Sequence, residues 1–115
     1  MKVDDYAFGR ITIDGHAYAK DVLVLPGRGV HSPWWRQAGH NLVPEDLTAV
    51  LADPPEMLVI GTGYHGNMAV PEATLQVLRE SGVAPWVGRT GEAVAELNRL
   101  QERSSRIAAA LHLTC

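Results

Sequence analysis

Three short stretches with no polar residue, or nearly none, constrain the fold most: Val22–Leu25 (VLVL), Met57–Ile60 (MLVI) and Ile107–Leu113 (IAAALHL). A strand with one face in water alternates apolar and polar side chains, whereas an unbroken apolar strand must be covered on both faces. The segments between these runs supply the covers. Pro44 suits a first helical position, where its missing N–H costs nothing. Glu45 and Asp46 follow at the positive end of the helix dipole, and Leu47, Val50 and Leu51 give an i, i+3, i+4 stripe that ends at Pro54-Pro55. Pro71 opens a second helix with Leu75 and Leu78 inward, closed by Gly82 as a left-handed cap. Ala84–Val87 is a short strand. Thr90 is expected to cap a third helix, with Ala93, Leu97 and Leu100 inward.

Upstream, YAFGRITI (Tyr6–Ile13) is strand-like and runs into Asp14-Gly15, a type I′ hairpin signal, with HAYA and VLVL returning. Pro26–Val43 reads as a long loop. The order β-β-loop-α-β-α-β-α-β predicts an α/β fold: one layered domain over residues 1–115, with a largely parallel central sheet made mixed by the initial hairpin. A chain of 115 residues is one domain by length.

The balance of charge, −3 at neutral pH, lacks the clustered cations that nucleic acid or an anionic membrane requires. No apolar run is long enough to span a bilayer, so no membrane insertion is expected. With one cysteine, Cys115, no internal disulfide can form and nothing calls for an oxidising compartment. The expected location is the cytoplasm.

Two stretches carry possible chemistry. In LVIGTGYHGNMAVP, Gly61, Gly63 and Gly66 stand at the G-x-G-x-x-G spacing after a strand. A dinucleotide site needs the helix to begin inside the glycine turn and an acid after the next strand. Here the helix begins at Pro71, and the next strand runs into Gly88-Arg89-Thr90. The glycines are better explained by positive φ and close backbone approach, while the loop amides remain a possible small-anion nest.

The second stretch is WWRQAGH. An exposed Trp34-Trp35 pair would mark an interaction surface or pocket wall. The plain alternative is one tryptophan packed over the sheet edge with Arg36 salt-bridged to a helix acid. If the loops after Leu25, Ile60 and Val87 converge beyond the strand ends, they gather Trp35, Arg36, His40, Thr62, His65 and Arg89. Arginines and backbone amides together suit a carboxylate or phosphate.

No cofactor motif and no metal set is found. HLTC places His112 and Cys115 on opposite faces of an extended strand, and a single Cys/His pair is too few ligands for structural zinc. The bland reading of His112 is a satisfied histidine in a buried strand.

Taken together, YAFGRITIDG, WWRQAGH, PEDL, PEMLVIGTGYHG, TGEAVAELNRL and the final HLTC resemble the Mth-938-like domain, in order and over almost the whole chain. That family includes a mitochondrial respiratory complex I assembly factor and an adipogenesis-associated protein, besides many bacterial and archaeal members. The resemblance implies a three-layer α/β fold with a central mixed sheet. It implies no reaction, and its assembly-factor members imply a protein-interaction role. This chain opens on an acidic segment without a mitochondrial-type presequence, so organelle and partner need not carry over. The matching positions, Trp35, Arg36, Gly61, Gly63, Thr90, His112, Thr114 and Cys115, come with no assigned role.

With no complete catalytic constellation, the expected function is non-catalytic: a protein-interaction or assembly-factor role, as a monomer or homodimer. The alternative is a small-anion or metabolite-binding protein, or an enzyme, using the glycine loop with nearby Arg and His. The candidate binding residues are Trp34, Trp35, Arg36, His40, Gly61, Thr62, Gly63, His65 and Arg89.

Overall fold

A computed structural model describes residues Met1–Cys115. The chain begins with three antiparallel strands, β1 (Val3–Ala7), β2 (Arg10–Ile13) and β3 (His16–Tyr18), which form a small sheet of their own. This differs from the expected two-stranded hairpin. Gly9, at φ +76°, turns the chain inside YAFGRITI and splits it in two. Asp14 and Gly15, at φ +49° and +82°, make the anticipated turn between β2 and β3.

The central sheet holds β4 (Val22–Leu25), β5 (Gly29–His31), β6 (Met57–Thr62), β7 (Ala84–Gly88) and β8 (Ile107–His112), in the order β5-β4-β8-β6-β7. β8 and β7 run parallel to β6, while β4 runs antiparallel to β8 and β5 antiparallel to β4. The sheet is therefore mixed, as expected, but of the expected hairpin only the returning VLVL segment, β4, joins it, with β5 beside it. β5 lies within the stretch expected to be all loop; Gly27 and Gly29, both at positive φ, bring it back along β4.

The helices are α1 (Thr48–Ala52), entered through a 3-10 turn at Pro44–Leu47, α2 (Glu72–Glu80) and α3 (Thr90–Gln101). The chain steps outward from β6 to β7 through α2, then back across β6 to β8 through α3. Reversing the step while keeping both crossovers right-handed puts the two helices on opposite faces. Gly82 ends α2 at φ +83°, with Val83 N–H donating to Leu78 O at 2.9 Å and Gly82 N–H to Arg79 O at 3.0 Å.

Two cores result, one per face. Leu25, Leu47, Val50, Leu58, Ile60 and Leu78 pack beneath α1, α2 and the Trp34 loop. Ile11, Ile13, Val24, Val59, Ala93 and Leu97 pack beneath α3 and the small sheet. The central strand β8 contributes Ala108, Ala109 and Ala110, all fully buried, whose small side chains let both layers close down. No helix is long and apolar enough to cross a membrane.

Candidate functional site

At the carboxyl ends of β6 and β8 three segments cross: the loop after β6, the Trp34–Asn41 segment and Leu113–Cys115. The crossing explains two of the glycines. Gly61 lies under Thr90, and a Cβ there would fall 2.7 Å from Thr90 Oγ1 and 3.1 Å from its Cα. Gly63, at φ +111°, lies under the main chain of Thr114 and Cys115, so a Cβ would collide with the Thr114 carbonyl oxygen.

The loop amides have acceptors inside the fold. Gly63 N–H donates to Thr90 Oγ1 at 2.9 Å. Tyr64 N–H donates to Thr114 O at 3.3 Å, Gly66 N–H to Gly63 O at 3.2 Å, Asn67 N–H to Cys115 O at 2.8 Å and Met68 N–H to Thr62 O at 3.0 Å. These bonds leave little of the loop for an anion nest. Thr90 differs from its expected part as a helix cap. Its buried hydroxyl accepts from Gly63 N–H and donates to His112 O at 2.6 Å, tying β6 to β8, while Arg89 occupies the cap position.

The tryptophan segment divides its neighbours between core and solvent. Trp34 is buried, donating Nε1–H to Asp46 O at 3.0 Å, whereas Trp35 is 74% exposed. Asp46 also accepts Gln37 N–H and Val43 N–H, both at 3.0 Å, so the acid expected to open a helix anchors the loop as well.

Arg36 does not meet a helix acid. Its side chain is 5% exposed, and Nη1 lies 2.8 Å from Oδ2 of Asp21, the residue just before β4. Its Nε–H donates to Gly39 O at 3.1 Å, and its guanidinium carbon stands 4.8 Å from the centre of the Trp34 ring, a cation–π distance. Asp21 Oδ2 also lies 2.8 Å from His112 Nδ1, and Oδ1 accepts Leu113 N–H at 2.7 Å. Arg36 Nη2 is 3.0 Å from the same Nδ1. Since Nδ1 cannot both donate to Asp21 and accept from Arg36, the carboxylate distance favours an Nδ1–H directed at Asp21, with Arg36 completing the charge balance. His112 Nε2 is then buried without a hydrogen-bond partner, so the histidine is buried as expected but satisfied on one nitrogen. The His40 ring meets the His112 ring edge-on, 5.8 Å between centroids. Burial raises the Asp21 pKa, but hydrogen bonds from His112, Leu113 N–H and Arg36 outweigh it and hold the carboxyl below its ordinary value.

The single pocket of arginines, His65 and loop amides does not form. Trp34, Trp35, Arg36 and Gly39 line a cleft of about 390 Å³ with Lys20, Asp21 and Thr114. Arg89 lines another, about 360 Å³, with Tyr6, Tyr64, Gly91 and Glu92. Thr114 lines the first cleft, and its carbonyl accepts the N–H of Tyr64, which lines the second. Arg89 is exposed, and its Nε–H and Nη2–H both donate to Tyr64 O, at 3.2 and 2.9 Å. His65 belongs to a surface aromatic group with Phe8 and Tyr64; its ring lies 5.1 Å from Tyr64 and 6.1 Å from Phe8. Thr62 is buried, donating to Gly88 O at 3.1 Å. No three His, Cys, Asp or Glu side chains are arranged so that they could hold one metal ion.

Sequence reasoning missed Asp21. Its one signal is an acid directly before an apolar strand, with no helix to cap. Its partners Arg36 and His112 lie at separations no local pattern links.

Comparison with known proteins places this arrangement. The family described as "Protein of unknown function (DUF498/DUF598)" matches residues 3–112. The conserved hypothetical protein PH1505 of Pyrococcus horikoshii OT3 is 26% identical, with all of both chains covered and a TM-score of 0.81. MT938 is 28% identical, with 99% of this chain and 98% of that one covered and a TM-score of 0.82. A Bordetella pertussis protein described as a Mth938-like domain shares the fold at 21% identity and a TM-score of 0.66, covering 97% of this chain and 85% of its own. The chain thus belongs to the DUF498/DUF598 family of unknown function, the Mth938-like domains.

Proposed function

We propose that this protein is a non-catalytic interaction domain acting in the cytoplasm as an adaptor or assembly factor, with the surface around Trp35 as its docking site. The observation that carries this reading is the 74% exposure of Trp35 on a segment whose neighbours on both sides are locked into the core. A large aromatic held rigidly in solvent is the usual anchor of an interface, because little entropy remains to be lost when a partner covers it. Phe8, 54% exposed, and Tyr64, 45% exposed, extend the apolar surface on the far side of Thr114.

The alternative small-anion reading draws less support. Arg36 is engaged by Asp21, and the glycine-loop amides by internal acceptors. Arg89 and His65 would have to hold the anion between them.

The test is affinity capture from cytoplasmic extract of the native cell, comparing wild type with Trp35→Ala. A partner recovered by the wild type and lost with the variant is expected. Equal recovery by both, or no partner above background, would sink the proposal. Thermal stabilisation by inorganic phosphate, abolished in Arg89→Ala, would favour the anion instead.

A further inference from the structure

A third cleft lies at the opposite end of the strands, where the two sheets part. α3 covers β6, β7 and β8 but does not extend over β4 and β5. At that corner the central sheet is faced only by the small one. Gly27 and Gly29 have open space where side chains would stand. The result is a cavity of about 520 Å³, the largest in the molecule, within the roughly 300–1,000 Å³ range of small-molecule sites. Its floor is apolar, made by Ile13, Val24 and Ile107, each at most 3% exposed. Tyr18 and Val30, both half-buried, form facing walls from the two sheets.

Polar groups sit around this floor. His16, Gln101, Ser105 and Asp14 line the cavity, and so does Met1, whose α-ammonium is a positive charge to set against the Asp14 carboxylate. Gln101 has a buried amide oxygen with no hydrogen-bond partner, and such a group is stabilised by acquiring a donor. A slot between two β-layers with apolar walls accepts a flat ring. The partnerless Gln101 oxygen favours a ring that carries a hydrogen-bond donor.

We propose that this inter-sheet cleft is a binding site for a flat aromatic molecule bearing a hydrogen-bond donor. It is separate from the Trp35 surface and does not depend on it.

The experiment is a titration of the intact 15N-labelled protein with indole and N-methylindole, read by amide shifts in NMR spectra. Indole should give saturable shifts centred on Val24, Gly29, Val30 and Gln101. N-methylindole, which lacks the N–H donor, should bind about fivefold more weakly, the scale of one hydrogen bond. Val30→Phe, which fills the slot, should abolish the indole shifts. Should that variant misfold, Tyr18→Ala, which removes one wall, should weaken indole binding about tenfold. Non-saturable shifts, shifts centred on Lys20 and Trp35, or full binding by a folded slot variant would overturn the site. Equal affinity for indole and N-methylindole would overturn the ligand class.

Discussion

Replacing Asp21 by alanine should be among the most damaging changes available outside the apolar core. The carboxylate pairs with Arg36 Nη1 at 2.8 Å, while the Arg36 side chain is only 5% exposed. Removing it leaves a guanidinium charge inside the protein, facing Gly39 O and the Trp34 ring. Breaking a buried pair this way costs roughly 3–5 kcal/mol. The orphaned Leu113 N–H adds about 1 kcal/mol, while water entering beside Asp21, whose side chain is 16% exposed, recovers part of the loss. The net expectation is about 4 kcal/mol. Arg36→Met is milder, about 2 kcal/mol, because Asp21 keeps its bonds to His112 Nδ1 and Leu113 N–H. In Asp21→Ala/Arg36→Met both charges are gone, and the loss should fall short of the summed single changes by at least about 1 kcal/mol. The assay is equilibrium urea unfolding followed by tryptophan fluorescence. With a slope of about 2 kcal/mol/M, Asp21→Ala should lower the midpoint by about 2 M. A loss under about 1 kcal/mol for Asp21→Ala, additive with Arg36→Met, would refute the reasoning.

Three further outcomes follow from the same crossing. The Asp21 pKa is depressed in the folded protein, so its stabilising contribution is complete above the unfolded-state value of about 4 and is lost as pH falls through the folded-state value. Urea midpoints measured against pH should therefore drop below about pH 4 in wild type, and Asp21→Asn should lack that component. Gly63→Ala forces a Cβ against the Thr114 carbonyl at a φ of +111°; the strain and overpacking should together cost about 3 kcal/mol or more by calorimetry, and a neutral result would mean the crossing is loose. Thr90→Val strands the buried Gly63 N–H and His112 C=O; a loss of about 3 kcal/mol is expected, largely restored by Thr90→Ser.

Legibility in the sequence tracks the range of the interactions. Continuous apolar runs found β4, β6 and β8 because burial on both faces writes itself into every residue of a short strand. Pro71 and Gly82 bracketed α2 because capping is decided within a turn of the helix end. β5 was hidden because an edge strand of Gly29, Val30 and His31 carries neither an apolar run nor clean alternation. The split of YAFGRITI was hidden because one residue, Gly9, decides it.

At the site, proximity at the strand ends was legible in part: of the residues expected to converge, Arg36 and His40 do meet, beside His112. The direction each side chain takes was not. Trp34 turns inward and Trp35 outward because successive residues of an extended segment face opposite ways, and sequence alone leaves the phase of that alternation open. Arg36 likewise turns from any incoming anion because Asp21, fifteen positions earlier in sequence, arrives beside it when β5 returns along β4 and Trp34 N–H donates to Asp21 O.

The G-x-G-x-x-G spacing shows how one local pattern serves two chemistries. In a nucleotide site the glycines clear room for a pyrophosphate, and the amides of a helix starting at once bind it. Here the same clearance is taken up by protein. Gly61 admits Thr90, and Gly63 admits the main chain of Thr114 and Cys115. The main-chain oxygens of Thr114 and Cys115 accept the Tyr64 and Asn67 amides. A ligand at this loop would have to displace Leu113–Cys115, and with it the Leu113 N–H bond to Asp21. That bond belongs to the network that fixes Arg36, and through Arg36 the segment presenting Trp35. Occupancy of the glycine loop by the chain itself and presentation of Trp35 to solvent are thus two consequences of one crossing. A substitution that frees the loop should also release the tryptophan.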